Sequence, residues 1–326
     1  MKKVVFSLIQ NKQDNTAGSK ARDDVTSILK NMGFQEVRLY LTDHKINDLL
    51  SNLFSILSSI RTIYHAEVVF QYPIYSKTFT RFLLPVLRLV AHNRIVIIHD
   101  LEMLRSDQAA KDTELNFLNS FDYIIAHNNR MRNFLVNQGV NKKIISLGLF
   151  DYLTDEVMNN HLQKNITFAG NLKKAKFLTK LNSQVEIELF GPNPFKKYPS
   201  NIHYNGQFTP EELPKHLDGW FGLIWDGDSP LTGEGVFGKY MRVNNPHKAS
   251  LYMSIGIPVI VWKDAAIADF VLENGVGLVF SSLEQLDDVM ANVTIQSYER
   301  MRSSAIGISR KVRNGYYTRE AIERCE

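Results

Sequence analysis

Short apolar runs alternate with stretches of helical periodicity along the first half of the chain. The runs are β-rich and have the length of buried strands, and they occupy residues 4–9, 37–41, 68–70, 95–98 and 121–126. Apolar residues at helical spacing occupy residues 26–32, 49–60, 80–90 and 130–138. Strands that alternate with helices in this way predict a parallel sheet made of βαβ units.

A second series of the same kind begins near residue 166. Its predicted strands are residues 166–169, 185–190, 221–225, 259–262 and 277–280, and its clearest helices are residues 210–217 and 246–255. The polar stretch 151–165 has no apolar period and separates the two series. We therefore predict an α/β fold with two Rossmann-like, doubly wound lobes. The first spans residues 1–154 and is completed by a C-terminal helix at about 310–326, and the second spans residues 160–307.

The composition agrees with two cores and argues against several functional classes. A chain of 326 residues with 44% hydrophobic residues can form two domains. The single cysteine, Cys325, excludes a disulfide framework and a thiolate metal cluster within one chain, so we expect a reducing, cytoplasmic setting. The net charge of +4 is spread along the chain, which argues against nucleic-acid binding and fits an anionic small substrate or an anionic membrane surface.

One predicted helix, residues 80–91, is apolar nearly all round and carries Arg81 and Arg88. A helix of this composition is usually buried in a core, which is the interpretation we favour. Contact with the inner face of a membrane, or with a second copy of the chain, is the alternative.

The best-marked helix of the chain begins at a candidate anion site. Asn245 is a suitable N-cap, Pro246 suits the first helical position, and Gly256 suits the left-handed position after the last turn. The free N–H groups of the first turn would lie beside His247 and Lys248, so that the lysine could reach phosphate oxygens. The alternative is a capped structural helix with an exposed lysine.

Two loops follow predicted strands, where ligands of open α/β sheets bind. Gly170 and Asn171 follow the first strand of the second series and precede Lys174, so that the backbone and a cation can both approach an anion. Gly18 and Ser19 lie in a small-residue loop after the first strand of the chain. Ordinary turn chemistry also explains each loop alone. Together they frame a predicted cleft.

Candidates for proton transfer follow the strand at residues 95–98. His99 and Asp100 would lie at the mouth of this cleft, where Asp100 could remove the proton of an acceptor hydroxyl. Capping of the next helix by Asp100 or Glu102 is the alternative.

Two further motifs suggest other chemistry. The pattern G-x-G-x-x-G at residues 233–238 follows no strand directly, which argues against a dinucleotide site. Asp226 and Asp228 have the D-x-D spacing of a magnesium or manganese site, which is a rival to a phosphate site built from lysines. The sequence has no zinc-protease, nucleophile-elbow or P-loop spacing.

Several segments closely match one known family. They are residues 222–229 (GLIWDGDS), 237–240 (FGKY), 244–248 (NNPHK) and 265–270 (AAIADF), with further likeness at residues 17–22, 98–100, 150–152 and 169–171. The chain resembles bacterial β-1,6-galactofuranosyltransferases of polysaccharide assembly over nearly its whole length. More distantly, it is similar to the glucosyltransferase that adds the second sugar to serine-rich repeat adhesins. That enzyme has GT-B architecture, with two lobes that face each other across a cleft.

The resemblance implies a UDP-sugar donor, no metal cofactor and inversion at the transferred sugar. In the glucosyltransferase relatives, UDP is held at positions that correspond to Thr16, Lys174 and Lys248 of this chain. The relatives have an arginine in place of Lys174, so a bidentate contact to phosphate is lost at this position.

The resulting hypothesis places the diphosphate on the helix start at Asn245, His247 and Lys248, and uridine near Phe190. Contacts to the sugar or the acceptor are predicted for Gly18, Ser19, His99, Trp225 and Asp226. The predicted reaction moves galactofuranose or glucose to a glycan, glycolipid or glycopeptide.

Two other functions are left open. One, which the resemblance to the adhesin glucosyltransferase implies, is a glucosyl- or N-acetylglucosaminyltransferase that extends O-GlcNAc on serine-rich repeat adhesins. The other is a non-catalytic subunit that binds sugar nucleotides. Peripheral contact with the cell membrane and assembly into a homo-oligomer are also left open.

Overall fold

A computed structural model describes residues 1–10, 17–41, 45–74, 77–104, 111–156, 163–233 and 235–325 of the chain. The chain forms two compact units. The first contains Met1–Asp14, Gly18–Leu147 and Tyr317–Glu326, and the second contains Asn15–Ala17 and Gly148–Tyr316. The division predicted at residues 154–160 lies a few residues beyond this boundary. The chain returns to the first unit at Tyr317, within the helix predicted at about 310–326.

The first unit has a six-stranded parallel sheet in the order β2-β1-β3-β4-β5-β6. Its strands are β1 (Lys3–Gln10), β2 (Gln35–Leu41), β3 (Glu67–Tyr72), β4 (Asn93–Ile98), β5 (Tyr123–Ala126) and β6 (Lys143–Ser146). Its helices are α1 (Ala17–Asn31), α2 (Lys45–Ile63), α3 (Lys77–Val90), α4 (Lys111–Leu118) and α5 (Asn129–Asn137). The sequence pattern does not predict β6, which has only two apolar side chains, Ile144 and Ile145.

The second unit has a six-stranded parallel sheet in the order β12-β11-β10-β7-β8-β9. Its strands are β7 (Gln163–Ala169), β8 (Ile187–Phe190), β9 (Ile202–Tyr204), β10 (Gly219–Ile224), β11 (Val259–Trp262) and β12 (Gly277–Phe280). Its helices are α6 (Gly235–Tyr240), α7 (His247–Ser254), α8 (Ile267–Asn274), α9 (Leu286–Asn292) and α10 (Ile295–Arg313). The last helix, α11 (Tyr316–Glu323), begins at the end of this unit and belongs to the first unit from Tyr317 onward. The helix predicted at residues 210–217 is instead a 3-10 turn, Leu213–His216, because Pro214 has no N–H to donate.

Each sheet has one pair of neighbouring strands at which the strand order reverses. In the second sheet the pair is β7 and β10, since β8 and β9 follow on one side and β11 and β12 on the other. In the first sheet the pair is β1 and β3. Ligands of doubly wound sheets bind outside the carboxyl ends of the strands at this point. The fold therefore directs attention to the residues that follow β7, β10 and β3.

The helix α3 has mixed exposure among the side chains that are described. Leu87 is buried, whereas Leu89 is 85% exposed and Arg88 donates a hydrogen bond to Ser120 Oγ at 3.1 Å. The side chain of Arg81 lies outside the described residues. None of the described helices combines the length and the apolar content that a membrane span requires.

A glycine in β10 makes room for the helix that carries the candidate site. The aromatic ring of Tyr252 on α7 packs over Gly222, and a Cβ atom at Gly222 would lie 2.3 Å from this ring. Tyr252 is fully buried, so the ring has no free space into which it can move. The packing of α7 on the sheet therefore depends on glycine at this position.

We predict that Gly222→Ala lowers the free energy of unfolding by about 1–3 kcal/mol or more, because the added methyl group overpacks the core. Urea denaturation measures the change. Gly307→Ala is the matched control, since Gly307 lies in α10 and a Cβ atom there has no neighbour within 4 Å. Alanine at Gly307 should stabilise the helix by about 0.5–1 kcal/mol. A Gly222→Ala protein as stable as the wild type would contradict the packing described above.

Candidate functional site

Two backbone corners meet at the carboxyl end of β7. Gly170 follows the strand with φ 153°, and its N–H donates a hydrogen bond to the carbonyl of Phe190 at 3.0 Å. A Cβ atom at Gly191 would lie 2.0 Å from the Gly170 carbonyl oxygen. No side chain fits at Gly191, so the two backbone segments pack directly against each other.

Asn171 organises the turn that follows. Its Oδ1 atom accepts hydrogen bonds from the N–H of Lys173 and from Nδ2 of Asn193, both at 3.1 Å. The first of these bonds caps a short 3-10 helix, Leu172–Lys174. Asn171 therefore has a structural role in the turn, in addition to the ligand contact that the sequence predicts.

The ammonium group of Lys248 lies at this corner. Its Nζ atom donates to Oδ1 of Asp226 at 2.8 Å and to the Trp225 carbonyl at 3.3 Å, and it lies 4.4 Å from the centroid of the Phe168 ring. A Cβ atom at Gly170 would be 3.9 Å from this Nζ atom. The structure thus brings together Gly170, Asp226 and Lys248, which sequence reasoning predicted separately.

The start of α7 differs from the prediction. Pro246 has ψ 135° and precedes the helix, which begins at His247. Asn245 is therefore not the N-cap residue, and its Nδ2 atom donates to the Gly148 carbonyl at 2.6 Å. The ring of His247 packs beside Tyr152 with centroids 5.3 Å apart. Asn245 and His247 thus both contact the segment that enters the second unit.

Sequence reasoning missed Tyr252, which ties α7 to β7. The Tyr252 hydroxyl accepts a hydrogen bond from the Ala169 N–H at 2.8 Å and donates one to the Thr167 carbonyl at 3.2 Å. Burial raises the pKa of this phenol well above its ordinary value, so the hydroxyl keeps its proton. Tyr252 lies one helical turn after Lys248 on the same face of α7. This spacing of four residues is the feature of the sequence from which its position near the site could have been predicted.

Lys174 also contacts the loop after β10. Its carbonyl accepts a hydrogen bond from the Gly227 N–H at 3.0 Å, and its Nζ atom lies 4.9 Å from the centroid of the Phe237 ring. Phe237, which is 36% exposed, was also missed. The loop that carries Asp226 is therefore held against the 3-10 turn that carries Lys174.

The side chains of Trp225 and Phe190, two residues with predicted ligand contacts, are buried. Trp225 is fully buried, and its indole N–H donates to the Ser229 carbonyl at 3.0 Å, so its ring is covered by protein atoms. Phe190 is 4% exposed and packs near Phe208, with centroids 6.2 Å apart, so its ring faces the core. The prediction that uridine binds near Phe190 stays a prediction. Phe190 ends β8 and Trp225 directly follows β10, and both side chains point into the core.

The rival motifs have structural explanations. Asp226 is paired with Lys248, whereas Asp228 is exposed. Among the described residues there is no group of three or more His, Cys, Asp or Glu side chains arranged to hold a metal ion. A Cβ atom at Gly233 would lie 2.5 Å from the Trp262 ring, and one at Gly238 would lie 2.4 Å from the Gly233 backbone. Close packing therefore accounts for these glycines.

In the first unit, the predicted residues follow β4 beside the end of β3. His99 Nε2 lies 2.8 Å from Gln71 Oε1, and Gln71 Nε2 donates to Thr26 Oγ1 at 2.9 Å. Asp100 is half-buried next to His99. Gly18 and Ser19 lie in the first turn of α1, and Thr16 lies outside the described residues.

A buried histidine supports the turn that contains Asp100. His127 follows β5, is 2% exposed, and places Nε2 3.1 Å from the Ile98 carbonyl. Burial lowers the pKa of His127 to about 4, although the Asp100 carboxylate and the Ile98 carbonyl favour the protonated form. The imidazole is therefore neutral at physiological pH, and its Nε2–H donates a hydrogen bond to the Ile98 carbonyl.

This depressed pKa makes stability depend on pH. Between about pH 6.5 and pH 4 the unfolded chain binds a proton at His127 that the folded chain does not. The free energy of unfolding is therefore unaffected by His127 above this window. It falls as the pH drops through the window, by up to about 3 kcal/mol from this group. We predict that His127→Gln, which keeps a donor for the Ile98 carbonyl, reduces the fall by this amount in urea denaturation from pH 7 to pH 4. The same change at exposed His92 is the control, and equal pH profiles for both variants would contradict the prediction.

Comparison with known proteins finds relatives along the whole chain. The model of the glucosyltransferase 3-like N-terminal domain matches residues 2–149, and that of the C-terminal domain matches residues 166–325. The β-1,6-galactofuranosyltransferase WbbI of Escherichia coli K12 is 32% identical over 317 residues, which cover 94% of this chain and 93% of the relative. Glucosyltransferase 3 of Streptococcus gordonii is 26% identical, with 93% of this chain and 92% of the relative covered.

Solved structures share the fold. The apo structure of OtsA has a TM-score of 0.63 at 9% identity and covers 99% of both chains. Sucrose-phosphate synthase of Thermosynechococcus elongatus has a TM-score of 0.58 at 10% identity and covers 99% of this chain and 96% of the other. These similarities confirm the predicted GT-B fold with two α/β lobes.

Proposed function

Since the chain belongs to the family of glucosyltransferase 3-like proteins, we propose that it transfers a hexose from a UDP-sugar to a hydroxyl group of a glycan, glycolipid or glycopeptide. The resemblance predicted from the motifs is confirmed, and the chain is a glycosyltransferase. The names of the relatives specify galactofuranose and glucose, and we propose that one of these two sugars is transferred.

The position of Lys248 carries the proposal for the donor site. Its side chain is only 11% exposed and places an ammonium group beside Gly170, at the point where β7 and β10 reverse the strand order. The first turn of α7 adds the positive end of the helix dipole. These are the groups that bind a diphosphate in an open α/β sheet.

We propose a single displacement with inversion. The acceptor oxygen forms a bond to the anomeric carbon while the bond from that carbon to the diphosphate oxygen breaks. The hydroxyl proton passes to a base, for which we propose Asp100, and the negative charge that develops on UDP is stabilised by Lys248 and α7. Because lysine side chains supply positive charge, we propose that the reaction needs no metal ion.

We predict that Lys248→Ala weakens UDP binding by about tenfold or more, because one charge-assisted contact to phosphate is lost. Isothermal titration calorimetry with UDP measures the effect. Lys164→Ala is the control, since Lys164 lies near the start of β7, at the opposite end of the strand from Gly170. Equal UDP affinity in Lys248→Ala and the wild type would rule out this diphosphate site.

We predict that Asp100→Asn lowers the rate of UDP release in the presence of acceptor by about a hundredfold or more, because the base is lost. Donor affinity should stay within about twofold of the wild type, since the donor is proposed to bind other residues. The assay uses a panel of UDP-sugars that includes UDP-galactofuranose, with simple sugar acceptors. Asp112→Asn changes an exposed aspartate of the same unit and is the control.

The same assay separates the alternatives. A base role for Asp100 is contradicted if the variant keeps the wild-type rate. Loss of activity with EDTA would favour a metal at Asp226 and Asp228. Binding of UDP without turnover of any UDP-sugar would favour a non-catalytic subunit.

A further inference from the structure

Asp226 places a carboxylate against the ammonium group that we assign to the donor diphosphate. Its Oδ1 atom lies 2.8 Å from Lys248 Nζ, and the two side chains are 17% and 11% exposed. The Asp226 N–H lies 3.1 Å from Met241 Sδ, and the next N–H, of Gly227, donates to the Lys174 carbonyl at 3.0 Å. These backbone hydrogen bonds fix the loop that carries the Asp226 carboxylate.

The Lys248 ammonium group has three N–H donors to divide among its acceptors. Lys248 can donate three hydrogen bonds, and the Asp226 carboxylate and the Trp225 carbonyl accept two of them. A phosphate oxygen on the remaining donor would lie about 4–5 Å from the carboxylate, since hydrogen bonds of ordinary length diverge at tetrahedral angles. At this separation, in a half-buried site, two negative charges repel each other appreciably.

The repulsion differs between donor and product. A UDP-sugar carries about two negative charges, whereas UDP carries about three at neutral pH, because the second pKa of a terminal phosphate is near 6. The additional charge of UDP lies on the terminal phosphate. A fixed carboxylate at this position therefore destabilises bound UDP more than bound UDP-sugar.

We propose that Asp226 has this role: it weakens the binding of product UDP relative to the UDP-sugar and so speeds product release. The proposal rests on the function proposed above. Asp226 is thus a specificity residue that distinguishes the product UDP from the substrate UDP-sugar by the charge of the terminal phosphate. It also keeps Lys248 in position.

The test compares Asp226→Asn with the wild type in calorimetric titrations with UDP and with a non-transferable UDP-sugar analogue. Asparagine keeps an oxygen acceptor for Lys248 and removes the charge. The ratio of UDP affinity to UDP-sugar affinity should rise by about five- to tenfold at pH 7.5. It should rise by less than about twofold at pH 5.5, where the terminal phosphate of UDP is largely protonated. Product inhibition by UDP should strengthen in parallel.

The control is Asp228→Asn, which removes an exposed carboxylate two residues away and should leave the ratio unchanged. An unchanged ratio in Asp226→Asn, or equal weakening of both ligands, would overturn the proposal and assign Asp226 to the positioning of Lys248 alone. Asp226→Ser serves as a second uncharged variant if the asparagine protein does not fold. If Lys248→Ala retains full UDP affinity, the donor site itself fails. If Lys248→Ala loses UDP affinity and the ratio stays constant, only the role of Asp226 fails.

Discussion

The pair of hydrogen bonds made by the Tyr252 hydroxyl fixes α7 to the end of β7. These bonds reach the Ala169 N–H and the Thr167 carbonyl, immediately before the chain turns at Gly170. Because Lys248 lies one turn earlier on the same helix, the bonds also set the position of its ammonium group. A buried polar group that is fully hydrogen-bonded makes an arrangement specific, since any shift would leave a partner unsatisfied. The geometry of the proposed donor site thus depends on Tyr252, a residue that is proposed to contact no ligand.

Much of this arrangement was predictable from the sequence, and the rest required the register of the strands. The alternation of apolar runs and helices predicts both sheets, and the boundaries of α7 are marked by Pro246 and Gly256. The Asp226–Lys248 pair joins positions 22 residues apart, and local spacing holds no information on such a contact. Trp225 shows the same limit, since an aromatic residue at a strand end can point to the core or to the ligand. Only the pairing of β10 with β7 and β11 decides between these orientations.

The two units handle charge in different ways. In the second unit, a half-buried lysine is compensated by a nearby carboxylate, so a cation is kept where water is scarce. In the first unit, the buried His127 stays neutral, and the charge beside it is that of Asp100. The neutral imidazole, hydrogen-bonded to the Ile98 carbonyl, orients the turn that contains Asp100.

The corner at Gly170 and Gly191 has a consequence for attempts to redesign the enzyme. Its two backbones approach too closely for any side chain at Gly191, so this part of the site offers no position at which substitution can adjust recognition. Phe237 is partly exposed beside Lys174 and has no comparable restriction. A library directed at Phe237 can therefore change the surroundings of Lys174 while the backbone corner at Gly170 and Gly191 is left intact.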